Sequence, residues 1–285
     1  MVDENQVVLG ALIGRPSDPT WMATADRCLA ALADAKEKME FKGRIDRRGD
    51  FKTIAFGLSF GGGSKRPGNL KCSPHNTQVM EELLASADMR RMASLARDTL
   101  AVYFPDLSEE YAQVLGRLYD SNPTFHRPFP GCPWPAISIN FPPNSYTRIH
   151  TDSGNKANGM CPIFSLGSFD HTKGGHLVLP DLKIAIEFPA GAMIMIPSAT
   201  LRHGNIPVRD GEVRASWTLY AAAGLFRWVE LGFKSWETVQ KEGGRALDEE
   251  VARRKTRWRE AVRKFPTLDS LKSRMSSPAA QPACM

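Results

Sequence analysis

Five polar residues in the middle of the chain have types and spacing suited to redox chemistry at a metal: His150, Asp152, His203, Arg214 and Ser216. On an extended chain residues i and i+2 project to the same side, so the His150 imidazole and the Asp152 carboxylate can converge on one point. A His-x-Asp pair means little alone in a chain with 6 histidines and 31 acidic residues. His203 adds to it, because IMIPSATLR reads as a strand and turn that would fold the second imidazole back against the first. Two imidazoles and one carboxylate on one side of a metal leave its other positions open, the facial arrangement of non-haem Fe(II) oxygenases. Arg214 follows in Val-Arg-Ala-Ser-Trp, with Ser216 on the same face by strand alternation. A buried guanidinium grips a carboxylate through two parallel hydrogen bonds, and a neighbouring hydroxyl adds a third. Singly, each histidine is as readily a core residue and Arg214 a surface-pair residue. Together, in this order, they are what a 2-oxoglutarate-dependent Fe(II) oxygenase requires: His150, Asp152 and His203 on the iron, Arg214 and Ser216 on the far carboxylate of the keto acid.

Holding such residues in place calls for strands. From Ala136 to Ala223 the runs AISINF, SYTRIH, MCPIFSLGSF, GHLVLP, KIAIEF, AMIMIP, TLRHGN and VRASWTLYAA are rich in branched or aromatic residues and separated by Pro, Gly, Asn and Asp. This spacing leaves no room for crossover helices and predicts an α+β fold whose core is a compact antiparallel double sheet or barrel such as a jelly roll, flanked by N-terminal and C-terminal helices. Upstream, helical periodicity covers Thr20 to Glu40, and three further helices are expected near His75 to Ser86, Met89 to Ala101 and Ser108 to Asp120. Between them FKTIAFGLSF reads as a strand running into GGGSKRPGNLKC, whose glycines and proline oppose regular structure and leave Lys65 and Arg66 at a loop tip. FRWVELGFKSWETVQ and DEEVARRKTRWREAVRKF read as amphipathic helices. The expected organisation is one domain over 1–285: helical to about 135, jelly roll about 136–224, helical about 225–270, and a frayed tail 271–285.

Composition agrees with a folded protein and excludes disorder throughout, with 42% hydrophobic and 24% charged residues in 285. No apolar run reaches the roughly 20 residues needed to span a bilayer, and MVDENQVVLG lacks the features of a secretory signal, so an intracellular protein with no membrane association is expected. The 5 cysteines, Cys28, Cys72, Cys132, Cys161 and Cys284, are scattered without a Cys-x-x-Cys pair and read as free thiols. Net charge is +6 and unevenly placed. Lys42, Arg44, Arg47, Arg48, Lys52, Lys65, Arg66 and Lys71 face only Asp46 and Asp50 in their stretch, which suits a polyanion. The second basic stretch, Lys234 to Arg274, is interleaved with acids and reads as a solvated face.

Tyr146 to Lys234 resembles the compact fungal branch of the TET/JBP DNA dioxygenases, above all in YTRIHTDSGN, FDHTKGGHLVLPDLKIAIEF, MIMIPSATLRHGNIPV and YAAAGLFRWVELGFKS. GGGSKRPGNL extends the resemblance upstream, so that it covers most of Thr53 to Lys234. It implies a double-stranded β-helix enzyme acting on methylated bases in double-stranded DNA, with Fe(II), 2-oxoglutarate and molecular oxygen. By the same resemblance His150, Asp152 and His203 are iron ligands and Arg214 with Ser216 anchors 2-oxoglutarate. Asn155, five positions after the first ligand, is implied to hydrogen-bond the flipped base, and Tyr220 to stack on it. Where these enzymes usually place a His against the cytosine edge, this chain has Ala222, which leaves room for a purine. The cysteine-rich domain of the larger animal relatives is missing, so other elements must hold DNA.

A methyl group inside a duplex cannot reach an iron buried in a barrel, so the nucleotide must be extruded at a cost of a few kcal/mol of stacking. Lys65 and Arg66, with Arg47 and Arg48, are the candidate phosphate grip, and their loop a candidate wedge. The expected substrates are 5-methylcytosine first, oxidised stepwise to its hydroxymethyl, formyl and carboxyl forms, and N6-methyladenine second. Such a substrate implies nuclear residence, and no protein partner is implied. The rival readings are a hydroxylase of a protein or small molecule using the same iron core, and a non-catalytic DNA binder, which would have no need of the ligands.

Overall fold

The chain opens with strand β1 (Ala11–Gly14), helix α1 (Trp21–Lys38), strands β2 (Thr53–Ser59) and β3 (Gly68–Asn69), and helices α2 (Pro74–Ala85), α3 (Ala87–Tyr103) and α4 (Pro105–Ser121). Six strands follow: β4 (Ala136–Asn140), β5 (Cys161–Ser168), β6 (Leu177–Leu179), β7 (Ile184–Ile186), β8 (Met193–Ile196) and β9 (Gly204–Asn205). Strand β10 (Val213–Tyr220) and helices α5 (Ala223–Glu230), α6 (Trp236–Glu242), α7 (Gly244–Arg263) and α8 (Leu268–Ser276) complete it. This computed structural model describes residues 1–41 and 49–276. Arg47 and Arg48, expected to grip phosphate, lie outside the described residues.

Two antiparallel sheets form the core. The larger has the order β1-β8-β5-β10-β4-β2-β3 and the smaller β7-β6-β9. Strand β10 shows why they face each other. Its odd positions Ala215, Trp217 and Leu219 are fully buried and join the helices' apolar faces, with Phe164 stacked on Trp217 at 4.2 Å. Its even positions, Arg214, Ser216, Thr218 and Tyr220, must then project to the opposite side. On that side Leu177, Leu179, Phe188, Ile194 and Ile196 pack in a second cluster that includes both sheets. An α+β jelly roll with helices on the outer face of its larger sheet is therefore the architecture. Local signals start the helices: Ser73 accepts a hydrogen bond from the Asn76 amide and Pro74 opens the first turn of α2. Among the described residues no helix is long and apolar enough to cross a membrane.

Several elements differ from the sequence expectation. SYTRIH is not a strand. Thr147 accepts the Asn205 amide while Asn205 Oδ1 takes the Thr147 amide, and His150 exchanges both backbone bonds with His203. Those two pairings are out of step by one residue and one uses a side chain, so no regular ladder forms. Strand β1, from the weak signal ALIG, closes the edge of the larger sheet against β8. Gly68 and Asn69, expected in an irregular loop, pair with β2. Helix α8 runs to Ser276 with Leu271 buried, where fraying was expected from residue 271.

Candidate metal centre

His150, Asp152 and His203 each offer a ligand atom, and these atoms lie within 4.8 Å of one another. His203 is carried by the turn before β9, and its bridge to His150 brings the two imidazoles to a ring separation of 4.4 Å. Asp152 is held from the other side, its amide donating to the Ser198 carbonyl at 2.8 Å. Asp152 Oδ1 is 3.7 Å from His150 Nε2, and Oδ2 is 3.9 Å from His203 Nε2.

Tautomers follow from the neighbours. His150 Nδ1 is 2.7 Å from the Arg148 carbonyl and His203 Nδ1 is 2.9 Å from the Leu201 carbonyl. A carbonyl only accepts, so each Nδ1 carries a proton, which leaves Nε2 as the ring nitrogen available to a metal ion. Fixing the far ring nitrogen on a backbone carbonyl is how metal-binding histidines are oriented. Two aimed imidazole nitrogens and one carboxylate can hold a divalent ion and leave its remaining positions open, a donor set suited to ferrous iron.

Arg214 is 2% exposed. Its Nη1 donates to the Ser145 carbonyl at 2.6 Å, and its Nε is buried without a partner. Among the described residues no carboxylate pairs with it, and burial pushes the guanidinium down to about 10. A cation so placed costs free energy unless an anion arrives. Ser145, which it grips, lies on the segment ending at His150. Ser216 is also buried, and its hydroxyl accepts from Asn140 Nδ2 at 2.9 Å.

Of the residues expected at the base, Asn155 pairs across the backbone with Ala222. Its Nδ2 turns inward, 3.3 Å from Ser198 Oγ and 3.6 Å from Cys161 Sγ. Tyr220 is half-buried at the end of β10, on the face that carries Arg214. Lys65 and Arg66 are exposed on the loop after β2. The root of that loop, Phe60, packs edge-on against Trp228 and lies so close to Gly224 that a Cβ there would meet the Phe60 carbonyl. The loop is thus anchored to the start of α5, two residues beyond Ala222. His171 is paired with Glu187 at 3.1 Å and His176 Nδ1 is buried without a partner.

Sequence reading missed three supports: Ser145, Ser198 and Asn205. None has a distinctive motif, since each works through a contact distant in the chain. Asn205 Oδ1 accepts from both the amide and the hydroxyl of Thr147 at 2.9 Å, stitching the strandless segment before His150 to β9. Asn205→Ala is expected to lower iron affinity about 10- to 100-fold, as other losses of ligand support do, while the helical circular dichroism stays unchanged. Titration of Fe(II) under anaerobic conditions measures it.

No family model matches the chain, and no curated protein matches it. Among solved structures it is similar to NgTET1, described in complex with 5mC DNA, at 15% identity and a TM-score of 0.55, over 78% of this chain and 75% of that one. A viral collagen prolyl hydroxylase from Paramecium Bursaria Chlorella virus-1 aligns at 14% identity and a TM-score of 0.38 over 77% of this chain and 99% of that one. A 2OG-Fe(II) oxygenase family protein from Burkholderia pseudomallei aligns at 18% identity and a TM-score of 0.38 over 67% and 77%. The chain therefore has the fold of NgTET1, a jelly roll with its His150–Asp152–His203 cluster able to hold a metal ion.

Proposed function

We propose that this protein is an Fe(II)/2-oxoglutarate-dependent dioxygenase that oxidises methyl groups on bases in duplex DNA. Its first substrate is 5-methylcytosine, carried to the hydroxymethyl, formyl and carboxyl forms, and its second is N6-methyladenine, which is demethylated. The observation that carries the cofactor reading is Arg214: a buried guanidinium with no carboxylate partner among the described residues, tethered to the segment that presents His150. 2-Oxoglutarate has two carboxylates, one beside the metal-chelating keto group and one that needs such a cation.

His150, Asp152 and His203 would hold iron, which with the keto acid and molecular oxygen supplies the oxidant for C–H hydroxylation. Arg214 and Ser216 orient the keto acid by its far carboxylate. Asn155 and Tyr220 receive the extruded base, the first by hydrogen bonding and the second by stacking.

Support for a DNA substrate comes from the likeness to NgTET1 and from the basic loop rooted on α5. Lys65 and Arg66 grip phosphate, joined by Arg47 and Arg48. A Lys65→Ala/Arg66→Ala variant is expected to bind duplex more weakly whatever its sequence, with the slope of log affinity against log salt reduced by about 2. Fluorescence anisotropy at several salt concentrations reads this, and oxidation of a free methylated nucleoside should be unaffected. A duplex substrate also places the protein's work in the nucleus.

Purified protein with Fe(II), ascorbate, 2-oxoglutarate and duplexes carrying either methylated base, followed by nucleoside mass spectrometry, tests the proposal. Appearance of oxidised cytosines or loss of N6-methyladenine supports it. Succinate production with both bases unchanged would leave a hydroxylase of a protein or small molecule.

A further inference from the structure

Behind Asn155 lies a small buried polar network. Ser198 is 1% exposed and follows β8; Cys161, 3% exposed, begins β5. The Ser198 hydroxyl donates to Cys161 Sγ at 3.1 Å. With its proton spent there, the oxygen offers lone pairs to Asn155, and the Asn155 Nδ2 donates to it at 3.3 Å. Cys161 Sγ accepts a second N–H from the same amide at 3.6 Å. Burial pushes the thiol up to about 12, so it stays neutral. The same serine's carbonyl takes the Asp152 amide, and Asn155 closes a turn by donating its own amide to the Asp152 carbonyl at 2.8 Å.

This network fixes which side of the Asn155 amide faces outward. The nitrogen is turned in, so Oδ1 is turned out, and no described residue donates to it. A ligand meeting Asn155 therefore meets an acceptor. Cytosine presents an exocyclic amino group and N6-methyladenine keeps one N–H, whereas thymine presents a carbonyl at the corresponding position. Thymine and 5-methylcytosine carry the same C5 methyl, so reactivity at the methyl does not separate them.

We propose that Ser198, backed by Cys161, is a positioning residue that locks the Asn155 carbonyl toward the substrate and makes the site select methylated bases bearing an exocyclic N–H over thymine. The inference rests on reading Asn155 as the base contact. Without the Ser198 hydroxyl the amide is free to turn over and offer its N–H groups to a thymine carbonyl. Without the Cys161 sulfur the serine proton is released to donate to Oδ1, which turns the amide the same way.

The experiment compares oxidation of 5-methylcytosine and of thymine at one position of otherwise identical duplexes, reading 5-hydroxymethylcytosine and 5-hydroxymethyluracil by mass spectrometry. Wild type is expected to favour 5-methylcytosine by about a hundredfold or more in kcat/KM, since a site built around a hydrogen bond rejects an analogue that leaves it unpaired. Ser198→Ala and Cys161→Val should each narrow that ratio by about tenfold, with iron content unchanged. Asn155→Asp in the Ser198→Ala background should restore the ratio, because a carboxylate is an acceptor whichever way it turns. A loss of packing alone would lower both activities without changing their ratio. An unchanged ratio in whichever single variants fold overturns the inference while leaving the oxidation of DNA bases intact. A wild-type enzyme that oxidises neither base removes the parent reading instead.

Discussion

Asp152→Ala or His203→Ala protein is expected to fold, to retain no iron after gel filtration, and to form no oxidised base above background. A group that merely supports a metal ligand is worth 10- to 100-fold in affinity, so loss of a ligand itself should cost more than about a hundredfold. The fold should survive because the cluster lies on the side of the larger sheet opposite the main apolar core, which holds Phe164, Trp217 and the helix faces. His150 and His203 are also joined through backbone bonds that an alanine side chain preserves. Iron content by atomic absorption, circular dichroism and nucleoside mass spectrometry on one preparation make the measurement. Full turnover with normal iron content in either variant would remove the metal centre from the account.

Arg214→Met should behave differently, and the difference is diagnostic. Before any ligand binds, the Arg214 guanidinium is a buried cation whose only described bonds go to Ser145. Its removal loses those bonds but also relieves a desolvation cost, so the ligand-free protein should match wild type in stability to within about 1 kcal/mol. Iron should still be retained through gel filtration, since His150, Asp152 and His203 all remain. Binding of 2-oxoglutarate should suffer, because its far carboxylate would be buried opposite a thioether. Breaking such a pair costs about 3–5 kcal/mol, which corresponds to a KM for 2-oxoglutarate raised a hundredfold or more. Thermal unfolding gives an independent readout: keto acid at about 100 times its Kd stabilises wild type by about 2.7 kcal/mol, and the variant should gain almost nothing at the same concentration. Arg214→Lys should not rescue, since a single ammonium cannot reproduce the planar fork. An Arg214→Met enzyme with unaltered KM would show that the keto acid is anchored elsewhere.

How much of this was readable beforehand divides along a physical line. Local periodicity is a property of neighbours in sequence, and it placed the helices well: the expected stretch Thr20 to Glu40 became Trp21–Lys38, and the three helices before the jelly roll lie where their apolar spacing put them. The alternation in VRASWTLY separated the core face of β10 from the face of Arg214 and Ser216 for the same reason. Donor types were legible too, because imidazole, carboxylate and guanidinium announce their chemistry wherever they lie.

The sequence by itself singled out His150, Asp152 and His203 as donors able to share a metal ion, and the face of β10 that carries Arg214 and Ser216. Only the tertiary structure decided that His203 meets His150 through a backbone bridge, that SYTRIH stays irregular because Asn205 fills its ladder with a side chain, and that β1 reaches across to pair with β8. It alone decided that Ser198 and Cys161 turn the Asn155 amide inward. These are contacts between residues far apart in the chain. No periodicity records them, because they depend on which surfaces are left to pair once the local elements have buried their apolar faces.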